Sequence, residues 1–273
     1  MDIFGNPGSQ AQILEAVRTD TGLRTVLLSG PSYVGKRAFI LQTLKAYLEE
    51  PDLLSVDHSM AGARDASFFC SSAPVFSSYR AILVDGADQL SDAAQDAYLR
   101  LCEEPRGASR IFLIAEDEGH LAPALFSRME NVTRWSTLRP SEMDSFIESQ
   151  PVTEDVEARR LCAGRPGLYL AMLGKPEYAE LYSHAVRRLD GTDSSCVLSA
   201  PDAVRALKSG RSPERDAVAL VCRKAALSLA GHVGHAGLHF RIRCLLAFSS
   251  LLTKVPSTNA EIHWQSTVLW APM

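Results

Sequence analysis

No run in this sequence approaches the ~18 apolar residues of a membrane span, and no C-x-x-C pair occurs among its six cysteines, at 70, 102, 162, 196, 222 and 244. The first absence argues against an integral membrane protein. The second argues against zinc knuckles and a secreted disulfide scaffold, and it fits a reducing cytoplasm. A basic excess is also missing: 28 lysines and arginines stand against 32 acids, for a net charge of −4. Any contact with nucleic acid must then be local or shared with other chains, because no overall basic field supports it. The opening MDIFGNPGSQ lacks a basic segment followed by an apolar one, so no signal peptide is expected. With 46% hydrophobic and 22% charged side chains over 273 residues, the chain has an ordinary globular composition and room for two or three compact units.

Apolar spacing predicts a helix over 10–17, a strand in RTVLLSG and a helix over 37–49. RAILVD, at 80–85, is a continuous apolar run ended by aspartate, as expected of a buried parallel strand. Ser91 is placed to cap a helix ending at Pro105, and RIFLIAE, at 110–116, is another strand. This alternation through residue 138 predicts a doubly wound parallel sheet, whose ligands gather at the strands' carboxyl ends. Gly30, Asp85 and Glu116–Asp117 fall there. Past Arg139-Pro140 the strand signals fade, giving short helices to about 175 and a helical remainder, with the longest helices expected at 213–230 and 237–253. The expected domains are an α/β base over 1–138, a small helical unit over 139–175 and an all-α unit over 176–273.

Gly30-Pro31-Ser32-Tyr33-Val34-Gly35-Lys36 follows the phosphate-loop pattern G-x-x-x-x-G-K, between a strand and a helix. Its backbone N–H groups would form a nest for phosphate, with Lys36 adding a point charge. The next position should carry a hydroxyl for magnesium. It carries Arg37, which cannot ligate a cation and places positive charge at a helix start. Asp85 ends its strand as a magnesium-holding aspartate would, but Gly86 follows where a water-polarising glutamate is needed. Arg37 is therefore expected to turn towards Asp85 and fill the vacated metal position.

VDGADQLSDAAQDAYLRLCEEP resembles the "DEAD…AAQNALLKTLEEP" segment of the clamp-loader branch of AAA+ ATPases, and LAPALFSRMENV resembles their "LLPTIRSRC" segment. Pro51-Asp52-Leu53-Leu54 matches their "HPDL", AGRPGLYLAML is similar to a lid "GSPGRAL", and the last helix, with Asn259 before it, is similar to a collar helix. The likeness is closest to the delta-prime subunits of DNA polymerase III, bacterial or phage. It implies an AAA+ base, a helical lid and an oligomerising helical collar. By the same resemblance Ser127-Arg128 carries an arginine finger, a charged fork offered to a neighbour's phosphoryl group.

Four catalytic positions of the motor subunits are altered together: Arg37, Gly86, the sensor-1 position at Glu116 or Asp117, and the sensor-2 position at Gly167. Ser127-Arg128 survives, although Met129 replaces the cysteine usual after it, and the zinc cysteines of bacterial members are absent. The resemblance thus implies a subunit without ATPase activity of its own and with no cofactor bound strongly, ATP and magnesium being held by neighbours. Implied partners are clamp-loader ATPase subunits, a delta-like subunit, the sliding clamp and primer–template DNA, with no membrane. The implied location is the cytoplasm of a bacterial cell or a phage-infected host. The alternative is an atypical but active phage ATPase subunit using Glu116 or Asp117 as its base. Gly231, Gly234 and Gly237 break up the face holding His232, His235 and His239, so solvated turns and no metal site are expected. Arg205, Lys208, Arg211, Arg215 and Arg223 alternate with acids and apolar residues, as in solvated helix decoration. By resemblance, the amino end of the helix from Ser91 is the DNA-facing candidate.

Overall fold

A computed structural model describes residues 3–18, 23–103, 108–190, 204, 213–230 and 236–254. The chain divides into two compact units, Met1–Ser145 and Phe146–Met273. The first is built on five parallel strands: β1 (Thr25–Ser29), β2 (Leu53–Val56), β3 (Arg80–Asp85), β4 (Ser109–Ala115) and β5 (Asn131–Arg134), in the order β2-β3-β4-β1-β5. Its helices are α1 (Pro7–Arg18), α2 (Lys36–Tyr47), α3 (Met60–Cys70), α4 (Asp92–Glu103) and α5 (Pro123–Phe126); α6 (Pro140–Glu148) follows.

Alternation along the three central strands divides the core. Val26, Leu28, Ala81, Leu83, Phe112 and Ile114 point to the side of α1 and α2, where they meet Ile13, Ile40 and Leu44. Leu27, Ile82, Val84, Ile111 and Leu113 point the other way, towards Ala63, Ala94, Tyr98 and Leu125. Because both faces are covered, these strands read as unbroken apolar runs. The edge strands β2 and β5 are four residues each and only partly buried, and neither they nor α3 were expected from the periodicity.

α1 is fixed at its carboxyl end. Arg110 donates from Nη1 to the Ala16 carbonyl at 2.7 Å and lies over the Tyr79 ring at 3.7 Å, while the Tyr79 hydroxyl donates to the Val17 carbonyl at 3.2 Å. Ser91 caps α4 as its sequence suggests, accepting the Ala94 N–H at 3.3 Å.

The second unit contains α7 (Val156–Leu161), α8 (Pro166–Met172), α9 (Glu177–Asp190), α10 (Pro213–Ala230) and α11 (Ala236–Lys254). Asp155 caps α7 by accepting the Ala158 N–H at 3.0 Å. One expectation is corrected here: Arg215 is not solvated decoration. It is 1% exposed, and its Nε donates to the Leu252 carbonyl at 3.1 Å, near the end of α11. A cation among the last carbonyls of a helix suits the dipole there. Arg223 is exposed, as expected, and Arg205, Lys208 and Arg211 lie outside the described residues.

Asp52, from the PDLL motif, has the most demanding surroundings of any carboxylate in the fold. Its side chain is fully buried, accepts the N–H groups of Val75, Phe76 and Ser77 at 2.8 Å each, and faces Arg80 Nε at 3.4 Å. Burial pushes its pKa up, but the backbone donors outweigh it and bring the value from 3.8 down to about 2. Asp52 therefore stabilises the fold fully above its unfolded pKa of 3.8, and this contribution is lost as pH falls towards about 2. Asp52→Ala leaves three amides without their acceptor and the Arg80 charge without its buried counter-ion, and is expected to cost about 3–5 kcal/mol in urea unfolding. A loss below about 1 kcal/mol would show that water replaces the carboxylate.

Candidate functional site

At the carboxyl end of β1 the chain turns through Gly30, whose φ of 134° lies outside the range L-residues favour. A Cβ there would stand 2.1 Å from the Trp135 carbonyl oxygen, because β5 runs on and Trp135 N–H donates to Ser29 O at 2.8 Å. Tyr33 also has positive φ, 63°, and Gly35, at 100°, caps α2. The sequence thus forms a phosphate-loop shape. Lys36 is 5% exposed, and its ammonium donates to the carbonyls of Gly30 and, at 2.6 Å, Pro31. The Lys36 charge is directed back into the loop.

Arg37 meets Asp85 at the same end of the sheet. Its Nε lies 3.2 Å from Asp85 Oδ2, with both side chains about half exposed. Strand register makes the meeting possible: Asp85 pairs with Ile114, and Ile114 with Leu28, one residue before the end of β1. A pair this exposed contributes only about 0.2–1 kcal/mol, so its consequence is positional. The guanidinium ties the end of β3 to the helix that follows the loop.

Gly86 is more than a missing carboxylate. Its φ is 75°, it begins the 3-10 turn Ala87–Gln89, and a Cβ on it would lie 3.3 Å from His58 Nδ1 and 3.5 Å from Gln89 Nε2. Of the two sensor-1 candidates, Glu116 donates its backbone N–H to Asp88 Oδ1 at 3.1 Å, and Asp117 accepts the Gly119 N–H at 2.9 Å as the cap of a short turn. Beside them Arg134 Nη2 donates to Glu118 Oε1 at 2.8 Å, and that bond raises the pKa of the guanidinium. Carboxylates therefore crowd this end of the sheet, a poor environment for a triphosphate. Gly167, the sensor-2 position, is in α8 of the second unit.

Ser127 and Arg128 lie at the opposite end of β1. Ser127 follows α5 and donates its hydroxyl to Ala124 O at 2.7 Å. The Thr25 hydroxyl donates to the Arg128 carbonyl at 2.6 Å and accepts the Glu130 N–H at 3.1 Å, holding the segment to the first residue of β1. Arg128 is half exposed, and its Nη2 and Nε both reach Glu103 Oε1, at 2.9 and 3.3 Å. Thr25 and Ser29 are four residues apart, so about 13 Å of strand lies between the anchor of Arg128 and the loop. The structure joins Arg37, Lys36, Gly30, Gly35, Asp85 and Gly86 at one end of the sheet, and Ser127 and Arg128 at the other. Glu103 was not anticipated: it is part of the EEP segment, and its spacing from Arg128 carries no periodic signal. His232, His235, the His239 side chain and Asn259 lie outside the described residues. No cluster of metal-ligating side chains occurs among the described residues.

A family model described as DNA polymerase III, delta subunit, matches residues 55–134, the span from β2 to β5. Over nearly the whole chain the fold is similar to that of the DNA polymerase III gamma subunit-related protein of Thermotoga maritima: TM-score 0.55 and 13% identity, covering 95% of this chain and 97% of that one. These likenesses show the fold, which is AAA+-like. The same AAA+ architecture extends to the RuvB Holliday junction branch migration motor, also from Thermotoga maritima, with TM-score 0.52 and 16% identity over 93% of this chain and 86% of that one. None of the curated proteins compared matches in sequence. Gly86 directly follows Asp85, and its left-handed backbone is set against any side chain there. Gly86→Glu is expected to destabilise the chain by about 1–2 kcal/mol, the cost of a left-handed non-glycine residue, in chemical denaturation. Unchanged stability would show that the turn can relax.

Proposed function

We propose that this chain is a non-catalytic, delta-prime-like subunit of a DNA sliding-clamp loader, inert at its own nucleotide loop and active through Arg128 at a neighbour's. The observation that carries the reading is the separation of the two ends of β1. With its backbone held at Thr25, Arg128 is directed away from the Lys36 loop and half exposed. A charged fork in that place can complete a phosphate site only on another molecule. Such fingers contribute about 10³–10⁵ in rate, which is roughly 4–7 kcal/mol of transition-state stabilisation.

The loop end of the sheet supports the inert half of the proposal. A guanidinium supplies donors but no exchangeable coordination site, so Arg37 can hold Asp85 without bridging β- and γ-phosphate oxygens as magnesium does. The reading divides the chain into an AAA+ base (1–138), a lid (139–175) and a collar (176–273) that packs with ATPase and delta-like subunits. The assembly would set a clamp on primer–template DNA in the cytoplasm, and no described helix is long and apolar enough to cross a membrane. The amino end of α4 remains the candidate for contact with DNA, although Asp92 and Asp96 are exposed there. The preserved loop shape and Lys36 favour one second reading, an atypical active ATPase.

Hydrolysis of radiolabelled ATP separates the two. Alone, the chain is expected to show no turnover with clamp and primed DNA. In the assembled complex, Arg128→Ala is expected to lower ATPase activity by at least about 10³ while gel filtration shows the assembly intact, and Lys36→Ala to leave activity unchanged. Turnover by the isolated chain that disappears in Lys36→Ala would establish the second reading instead.

A further inference from the structure

Arg128 is not presented bare. Its Nη2 and Nε converge on the single oxygen Oε1 of Glu103, the last residue of α4, at 2.9 and 3.3 Å. A carboxylate at a helix carboxyl end faces the negative pole of the helix dipole and gains from a nearby cation. Other acidic groups near the finger are committed elsewhere. Glu130 accepts the Arg24 N–H. The Cys102 thiol is pushed up to about 12, first by burial and then by Cys70, Glu130 and Glu103, so it stays neutral. Among the described residues Glu103 is the counter-ion of this guanidinium.

A paired arginine cannot do what a finger does. The Arg128–Glu103 couple has no net charge, and a carboxylate beside an approaching phosphoryl group repels it. The geometry allows release: both side chains are exposed, 52% and 40%, while the backbone of Arg128 is held independently by Thr25. We infer that Glu103 is a latch that holds Arg128 in the free subunit and is displaced by the phosphates of the neighbouring ATP site. This rests on the arginine-finger reading above. Glu103 is then a restraining residue that acts through Arg128 and touches no substrate, and it keeps the finger from pairing with adventitious anions before assembly.

An exposed pair of this kind shifts an equilibrium by no more than about fivefold. In the assembled complex, without clamp or DNA, Glu103→Gln is expected to raise kcat/KM for ATP about two- to fivefold, and Glu103→Ala to do the same. The gain should vanish in the Arg128→Ala background, which a merely structural role for Glu103 would not produce, and thermal melting should stay within a few degrees of wild type. If Glu103→Gln leaves kcat/KM unchanged, or lowers it, with melting preserved, the latch is overturned; a fall would make Glu103 an orienting group. If Arg128→Ala itself has no effect, the finger reading fails first, so the two failures are distinguishable.

Discussion

A carboxylate at the end of a buried parallel strand cannot retreat from the loop facing it, and Asp85 meets that constraint with the guanidinium of Arg37, Nε to Oδ2 3.2 Å. In a motor the same constraint is met by an exchangeable divalent ion, so order at the loop depends on nucleotide and metal together. Here the cation is covalently part of α2. The loop's remaining positive group, Lys36, is satisfied by carbonyls of the loop itself. Lys36 and Arg37 are thus both partnered within the chain. The pair's small stability contribution does not weaken this point. It acts on occupancy of a position, and at 3.2 Å the pair is within hydrogen-bonding distance.

The other end of β1 shows the reverse economy. Thr25, through one hydroxyl that donates to Arg128 O and accepts from Glu130 N–H, secures the backbone of the finger segment, and the side chain of Arg128 is left to choose its partner. A held backbone and an exchangeable side chain fit the proposed action in trans, whose acceptor would arrive with another subunit. Strand β1 is rigid, with all five residues buried between β4 and β5. It therefore fixes the distance between a closed loop and an available guanidinium without linking their chemistry.

How much of this was legible in the sequence follows from which residues are constrained on two sides. Strands β1, β3 and β4 were readable because burial on both faces forces continuous apolar runs such as Ala81–Val84. The four-residue edges were not. Leu53-Leu54-Ser55-Val56 is strand because β3 offers it hydrogen bonds, and Asn131-Val132-Thr133-Arg134 because β1 does. Helix α3 was obscured by Gly62, which is required because a Cβ there would lie 2.7 Å from the Asp57 carbonyl oxygen. The meeting of Arg37 with Asp85 could be reasoned from charge and motif order, since the motif already fixes both to one end of the sheet. That of Arg128 with Glu103 could not, because it depends on how the end of α4 passes the segment after α5. Arg215 misled for a related reason: its acidic neighbours mimic a solvated face, while its acceptor is a carbonyl 37 residues away.

The departures from the motor pattern reinforce one another. Restoring a hydroxyl at position 37 would release Asp85 but would leave Gly86 in a left-handed turn where a glutamate is strained. Restoring the glutamate would place another acid beside Asp85, Asp88 and Glu116 with no metal to offset it. Correcting the loop alone would leave acids at both candidates for the sensor position, Glu116 and Asp117, the latter's side chain accepting the Gly119 amide. Each position is locally satisfied by a neighbour that the motor chemistry would need elsewhere. A single reversion therefore meets resistance from backbone geometry, charge or hydrogen bonding. Arg128 has no such entanglement among the described residues: its carboxylate partner Glu103 is exposed, and its backbone support does not depend on that partner.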